Sequence, residues 1–294
     1  MVAIQPRSDV AAGLPRAVEA LLDNPPPSDD TVIEADGIPF FTRTWGDPAA
    51  PPLLLVHGIT ASSRIWWRVG PALAALLGRR VLAPDQAGHG RTGHWRGRVA
   101  FADNAVSIAA FIRAAGIDRP DLRVVGHSWG GMTVAALPTA GIVPAVTVLL
   151  DPPAVPLAAI ASMLDDPVER HYDDLDEAVA ALGSHHPTWP WGDVLAKAEA
   201  LTQFEVDGVR DVLTLNGAWD GGLSALADPA AANATVRLVR GDPAAGGLVS
   251  DATATRFAER LGADGVITIP GAAHSPMRLK PVATVEALAR ALEP

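Results

Sequence analysis

The serine in the stretch "RVVGHSWGGM" stands between two glycines, where residues 126–130 match the pattern G-x-S-x-G. An apolar run precedes it, and small and apolar residues at helical spacing follow it. In that context Ser128 is predicted to lie on a sharp turn between a strand and a helix, close to the positive end of the helix dipole. The flanking glycines let the two backbones pass close together. This pattern predicts nucleophilic attack by the serine hydroxyl.

The elements around this turn are predicted from the alternation of two kinds of segment. Continuous Val and Leu runs are typical of strands buried on both faces of a parallel sheet, and segments with helical apolar spacing separate them. Asp36-Gly37, between two apolar runs, predicts a hairpin before the first of these strands. We therefore expect an α/β fold with a mostly parallel, doubly wound sheet and helices on both faces.

The alternation stops over residues 152–234, which contain helical segments and no convincing strand. This segment leaves the sheet after "VLLD" and returns before "TVRLVRG", so it is expected at the carboxyl ends of the strands, where ligands bind in such sheets. We interpret it as a helical lid. Residues 31–151 and 235–294 form the predicted core, and residues 1–30 form an N-terminal arm with one short helix.

Composition excludes several other classes of function. The 294 residues are 49% hydrophobic and carry a formal net charge of -10, which argues against binding to nucleic acid or to an anionic membrane surface. The absence of cysteine excludes disulfides and thiolate nucleophiles. No apolar run reaches the length of a membrane span and no signal peptide is recognised, so a cytoplasmic protein is expected. The sequence leaves a homodimer open.

Four segments, in order along the chain, resemble the α/β-hydrolase fold family: "LLLVHGIT", "LAPDQAGHGRT", "VVGHSWGG" and "IPGAAHS". The resemblance extends from Thr31 to Leu292. It implies a mostly parallel sheet of about eight strands, with the nucleophile on the turn after the central one. It also implies that His274, in the loop after the last predicted strand, is the catalytic base. A serine needs such a neighbour, with a pKa near neutrality, to take its proton.

The carboxylate that should orient the histidine has two candidates. The usual family position is the loop after "TVRLVRG", which offers Asp242, but this residue follows the glycine of that loop directly and precedes a proline. Some family members, including lactone-cleaving ones, carry the acid one strand earlier, which corresponds to Asp151 here. A carboxylate that ends an apolar run and is followed by two prolines is costly without a partner. We therefore favour Asp151 and keep Asp242 as the alternative.

The remaining site residues concern the oxyanion and the substrate pocket. The developing negative charge needs two N–H donors. The resemblance implies that these donors are the backbone N–H groups of Trp129 and Ile59. In the segment "APDQAGHGRT", Asp85, His89 and Arg91 are expected to brace a loop rather than to contact the substrate. His185-His186 lacks further ligands at metal spacing, so no metal is expected. Four tryptophans are candidates for lining the pocket: Trp66, Trp189, Trp191 and Trp219.

The predicted activity is that of a cofactor-independent serine hydrolase cleaving a carboxylic ester, thioester or lactone through an acyl-enzyme. Its expected partner is a small-molecule acyl substrate. A serine nucleophile argues against the haloalkane-dehalogenase and epoxide-hydrolase branches of the family, which use aspartate. Other members cleave amides, peptides or carbon–carbon bonds, and some with an intact triad are ligand receptors with very slow turnover. These alternatives stay open.

Overall fold

The computed structural model describes residues 13–95, 100–217, 219–226 and 234–293. They contain one eight-stranded sheet. The strands are β1 Asp29–Ala35, β2 Ile38–Trp45, β3 Pro52–Val56, β4 Arg80–Pro84, β5 Arg123–His127, β6 Val146–Leu150, β7 Thr235–Arg240 and β8 Val266–Thr268. Their order across the sheet is β1-β2-β4-β3-β5-β6-β7-β8. The β1–β2 and β2–β4 pairs are antiparallel, and all later neighbours in the sheet are parallel.

The predicted α/β class and the mostly parallel sheet are confirmed. The strands occupy the apolar runs from which they were predicted, and Asp36-Gly37 forms the turn between β1 and β2. Every residue of β3 and of β6 is buried, as expected for strands covered on both faces. Because β3, β5 and β6 are parallel neighbours, the residues that follow them meet at one edge of the sheet.

Helices cover both faces of the sheet. Alternate residues of β3 pack into two separate clusters: Leu53 and Leu55 into one, Leu54 and Val56 into the other. The helices are α1 Arg16–Asp23, α2 Val69–Leu77, α3 Phe101–Ala114, α4 Trp129–Ala135, α5 Leu157–Ser162, α6 Leu175–His185, α7 Trp191–Thr202, α8 Val206–Leu215, α9 Asp251–Leu261, α10 Pro276–Leu279 and α11 Pro281–Ala291. The first cluster includes side chains of α1, α2 and α11, and the second those of α3, α4 and α9.

Helices α5 to α8 lie between β6 and β7, within the segment predicted as a lid. Helices α6 and α7 coincide with the predicted helical segments, whereas α5 and α8 were not recognised. Their apolar side chains form a third cluster, which includes Ile59 and Trp129 from the sheet edge. Positions 218 and 227–233 of the predicted lid, and 1–12 of the predicted arm, lie outside the described residues.

Apolar residues at helical spacing over residues 62–78 predict one helix there, but the helix begins later than this pattern indicates. Residues 63–66 form a 3-10 turn, and α2 starts only at Val69. Gly78 then ends α2 in the left-handed conformation, with φ 59°.

Over the described residues, no helix combines the length and the apolar character needed to cross a membrane.

Candidate active site

Ser128 lies on the turn between β5 and α4, at the carboxyl edge of the sheet. Its backbone has φ 55°, a left-handed value that is strained for a residue with a Cβ. The surrounding strand and helix fix this turn: the Ser128 N–H donates to the carbonyl of Leu150 at 2.9 Å, and the Ser128 carbonyl accepts from Gly131 N at 2.8 Å. The hydroxyl is thereby presented at the start of a helix, where the dipole favours negative charge.

The glycines on either side of Ser128 are required by close backbone packing. A Cβ on Gly126 would lie 2.2 Å from the carbonyl oxygen of Gly130. A Cβ on Gly130 would lie 2.5 Å from the carbonyl oxygens of Val56 and His57. Helix α4 therefore packs against β5 and β3 at a distance that only glycine permits.

His274 reaches Ser128 from the loop after β8. Its Nε2 lies 2.9 Å from Ser128 Oγ, and its Nδ1 lies 2.7 Å from Asp151 Oδ2. Because a carboxylate only accepts hydrogen bonds, Nδ1 carries the proton in the neutral ring, and Nε2 is left to accept from the serine hydroxyl. The ring of His127 lies tilted against that of His274, with centroids 4.9 Å apart, and its Nε2 bonds to the His274 carbonyl at 2.9 Å.

Asp151 directly follows β6 and is fully buried. Its backbone also has positive φ, at 41°. Besides the contact with His274, its carboxylate accepts hydrogen bonds from Gly241 N and Leu248 N, each at 3.0 Å. These donors satisfy a buried charge that would otherwise be costly. The structure thus places Asp151, favoured from the sequence, beside His274.

Asp242, the alternative acid, lies in the same region but makes different contacts. Its carboxylate accepts from Ala244 N and from Gly271 N, each at 2.9 Å. Hydrogen bonds from these two N–H groups lower the pKa of Asp242. Its role is to join the loop after β7 to the loop that carries His274.

The two expected oxyanion donors lie at the same edge of the sheet. The N–H of Trp129 is the first of α4 and therefore has no intrahelical acceptor. The N–H of Ile59 makes no hydrogen bond with the described part of the chain. Its carbonyl accepts from His89 Nε2 at 2.6 Å, which braces the loop after β3, as expected for His89.

A second buried histidine, His57, supports the same loop. Its Nδ1 bonds to Gly58 O at 2.7 Å and its Nε2 accepts from Gln86 N at 2.9 Å. Burial lowers the pKa of His57 to about 3, so it stays neutral. Asp85, with hydrogen bonds from Ser63 N at 2.6 Å and Arg91 N at 2.8 Å, braces the next loop in the predicted way.

A cavity of about 520 Å³ opens at Ser128 and His274, between the sheet edge and the α5–α8 segment. The four tryptophans predicted to line it are not among its lining residues, which corrects that expectation. Their side chains are used in packing or face solvent: Trp66 is fully buried in the core, Trp219 packs on Phe101, and Trp191 is 65% exposed. Trp189 is half-buried and stacks on His186.

A charged cluster that was not predicted from the sequence lies between α7 and the loop after β3, which carries Ile59 and is called the oxyanion loop below. Buried Lys197 donates to the carbonyl of Thr60 at 2.8 Å and to its hydroxyl at 2.7 Å, and it forms an ion pair with Glu169. The Thr60 hydroxyl donates to Glu169 at 2.8 Å. Burial alone would raise the pKa of Glu169, but the charges of Lys197 and Arg278 outweigh it and lower that pKa.

Arg278 was not predicted either, although it lies only four positions after His274, in the short helix α10. It is only 6% exposed and lines the cavity. Its guanidinium packs over the ring of Trp189, 4.2 Å from the centroid. The short distance in sequence between Arg278 and His274 was the one signal that could have pointed to Arg278. The residues between 163 and 213 that line the cavity come to the site only through the tertiary structure, so no local pattern indicates them.

A model of the alpha/beta hydrolase family matches residues 53–287. The lipase LipV of Mycobacterium tuberculosis is 28% identical over 274 residues, which cover 87% of this chain and 99% of the relative. The 2-(acetamidomethylene)succinate hydrolase of Mesorhizobium japonicum is 28% identical over 262 residues, covering 82% of this chain and 87% of the relative.

Solved structures show the same fold. The crystal structure of an E-2-(acetamidomethylene)succinate hydrolase superposes with a TM-score of 0.72 at 21% identity, covering 89% of this chain and 98% of that chain. At this identity the likeness concerns the fold alone.

Proposed function

The chain belongs to the alpha/beta hydrolase family, and from that premise we propose that it is a cofactor-independent serine hydrolase cleaving a carboxylic ester, thioester or lactone. One observation carries this proposal: Ser128 Oγ, the imidazole of His274 and the carboxylate of Asp151 form a continuous hydrogen-bonded chain. The chain opens onto a cavity large enough for a small substrate.

In the proposed reaction, Ser128 Oγ attacks the carbonyl carbon of the substrate as His274 Nε2 takes the hydroxyl proton. The resulting oxyanion is stabilised by the N–H groups of Ile59 and Trp129. His274 then donates its proton to the leaving group, which departs and leaves an acyl-Ser128 ester. Water, deprotonated by His274, attacks this ester and releases the acid and the free serine.

We propose further that residues 152–234 act as a lid over this site. The side of the cavity away from the sheet supports this, because it is built from residues that follow β6. They include Met163, Glu169, Phe204, Val209 and Leu213.

Labelling with a fluorophosphonate probe tests the mechanism. We expect one adduct, located on Ser128 by peptide mass, and none in Ser128→Ala. His274→Ala should label at least about 100-fold more slowly, because general-base assistance is typically worth that much. Ser162→Ala, which changes an exposed serine, is the matched control and should label as the wild type does. An adduct elsewhere, or normal labelling of His274→Ala, would contradict the proposal.

An amide substrate is the second candidate, and one comparison favours it. The related hydrolase from Mesorhizobium japonicum is named for a substrate that contains an acetamido group. Paired esters and amides with the same acyl group distinguish the two, since an amidase cleaves both whereas an esterase leaves the amide intact. Repeated turnover of either substrate separates an enzyme from a slow ligand receptor.

A further inference from the structure

Arg278 places a positive charge beside the proposed nucleophile and base. It belongs to the short helix α10, which begins two residues after His274. The residue is 6% exposed, and it lines the cavity together with Ser128 and His274. A guanidinium remains charged in proteins, so this side chain holds a buried cation at the wall of the site.

Nothing in the described part of the chain neutralises this cation by direct contact. Among the described residues, no carboxylate lies within 4.0 Å of the guanidinium and no group accepts a hydrogen bond from it. Its observed contact is the ring of Trp189, at 4.2 Å. A buried charge without a hydrogen-bonded partner is costly.

The nearest carboxylates already have other partners. Glu169 pairs with Lys197. Asp193 accepts from the indole of Trp67 at 3.0 Å through Oδ1, and its Oδ2 lies 3.7 Å from the guanidinium of Arg68 without a hydrogen bond from any described residue.

Other arginines that line the cavity have carboxylate partners. Arg170 pairs with Glu177 at 2.7 Å, and Arg210 pairs with Asp207 at 2.7 Å. Both arginines are about half exposed, with side-chain accessibilities of 47% and 56%. Arg278 therefore differs from them in being buried and in lacking a carboxylate.

We propose that the substrate of this site carries a free carboxylate in addition to the bond that is cleaved, and that Arg278 binds this carboxylate. This inference rests on the proposed hydrolase function. The planar guanidinium presents two parallel N–H donors, which match the two oxygens of a carboxylate. Trp189 fixes the plane of the guanidinium from one side. Small monoesters of dicarboxylic acids have this combination of groups.

Matched substrate pairs test the inference. The monomethyl and dimethyl esters of succinate, glutarate and adipate differ only in whether the second carboxyl group is free. With hydrolysis followed by proton release at constant pH, the wild type should prefer at least one monoester by about tenfold or more in kcat/KM, as expected for a charge-assisted, bidentate contact. A wild type that prefers the dimethyl ester in all three pairs overturns the inference.

Variants assign the preference to Arg278. In Arg278→Met the ratio of kcat/KM for the monoester to that for the diester should fall to about one. Arg278→Lys should keep part of the preference, because lysine retains the positive charge but lacks the two parallel N–H donors. The ratio within each variant cancels any general loss of activity. Arg210→Met, which removes a paired arginine from the same cavity, is the matched control and should keep the wild-type ratio. A preference that survives in Arg278→Met overturns the inference.

Binding separates this inference from the hydrolase proposal. Calorimetry with glutarate and with neutral glutaramide, on Ser128→Ala, measures anion recognition without hydrolysis. Glutarate should bind at least about tenfold more tightly than glutaramide, and the difference should vanish in Ser128→Ala/Arg278→Met. Equal binding of the two overturns the carboxylate site even if esters are cleaved. Failed fluorophosphonate labelling alongside selective glutarate binding overturns the hydrolase proposal instead.

Discussion

Ser128 and Asp151 share an unusual backbone state. Both have positive φ, 55° and 41°, although neither is glycine. The energetic cost of such a state, about 1–3 kcal/mol per residue, is tolerated only where surrounding contacts impose it. Here the contacts are main-chain hydrogen bonds to neighbouring strands: Ser128 N to Leu150 O at 2.9 Å and Asp151 N to Val239 O at 2.7 Å. The sheet thus holds both side chains in position for His274.

The two aspartates near this histidine should respond differently to the same substitution. We expect Asp151→Asn to lower kcat by about 10⁴-fold, because the amide no longer stabilises the charged imidazole or the required tautomer. Asp242→Asn should lower kcat only slightly and reduce Tm, because that carboxylate receives hydrogen bonds from Ala244 and Gly271 but does not contact His274.

Steady-state kinetics and thermal unfolding of both variants check this pair. A larger loss of kcat in Asp242→Asn than in Asp151→Asn would reverse the assignment of the acid. The fully buried Asp151 makes some loss of stability expected in its variant as well, so kcat is compared at a temperature where both remain folded.

At the scale of elements, α4 lies unusually close to β5. We expect Gly126→Ala to lose at least about 3 kcal/mol of unfolding free energy, since its Cβ would lie 2.2 Å from Gly130 O and backbone cannot move aside cheaply. Gly183→Ala, in α6, is the matched control: no atom lies within 4 Å of its Cβ position, and helix propensity predicts a gain of about 0.5–1 kcal/mol. Urea unfolding measures both changes. Equal stability of the two variants would contradict the close packing.

Helix α7 supports the oxyanion loop through Lys197, a positioning residue. Lys197→Met keeps the length of the side chain but leaves Thr60 O and Glu169 without their cation. We expect kcat to fall about tenfold with little change in KM, less than the loss of an oxyanion donor itself. The unfolding free energy should fall by roughly 2 kcal/mol, below the range for fully buried pairs because Glu169 remains partly hydrated.

Arg64→Met is the control for this prediction. It breaks another ion pair, Arg64–Glu199, that joins α7 to the segment after β3, but both of its side chains are partly exposed. Small effects on kcat are expected there, as for most exposed pairs. If Lys197→Met and Arg64→Met had the same kcat, the cluster would have no role in positioning the loop.

At the scale of the whole molecule, buried neutral histidines make stability depend on pH. Burial lowers the pKa of His57 to about 3, against 6.5 for the ordinary side chain. The contribution of neutral His57 to the free energy of unfolding is therefore fully present above pH 6.5, where His57 is unprotonated in both the folded and the unfolded chain. It is lost as the pH falls from 6.5 towards 3, because in that range His57 is protonated only in the unfolded chain. At pH 5 the loss from His57 amounts to about 2 kcal/mol.

Urea unfolding at pH 7.5 and at pH 5.0 checks this expectation. The wild type should lose about 2 kcal/mol more than His57→Gln between these conditions, whatever the difference in their stabilities at pH 7.5. Comparing the two proteins cancels the contributions of the carboxylates and of the other buried histidines, His89 and His127. The same pH dependence in both would show that His57 is not the source.

Local sequence determined much of this protein. Runs of Val and Leu specify strands by their length and continuity, and Asp36-Gly37 specifies a turn, because these preferences depend on near neighbours only. The glycines around Ser128 likewise reveal the nucleophile turn. The prediction of helices was weakest in the segment after β6, where α5 and α8 depend on packing against the rest of the fold.

Tertiary structure alone decided which carboxylate meets His274 and what lines the cavity. The sequence favours Asp151 but keeps Asp242 as an alternative, because the contact between Asp151 and His274 joins two loops that are 123 residues apart in the chain. Nothing in the sequence distinguished a tryptophan that packs in the core from one that lines the substrate pocket. The roles inferred for Lys197 and Arg278 depend on their burial and on whether a carboxylate contacts them. Both are properties of the folded chain, and the amino-acid sequence does not show them.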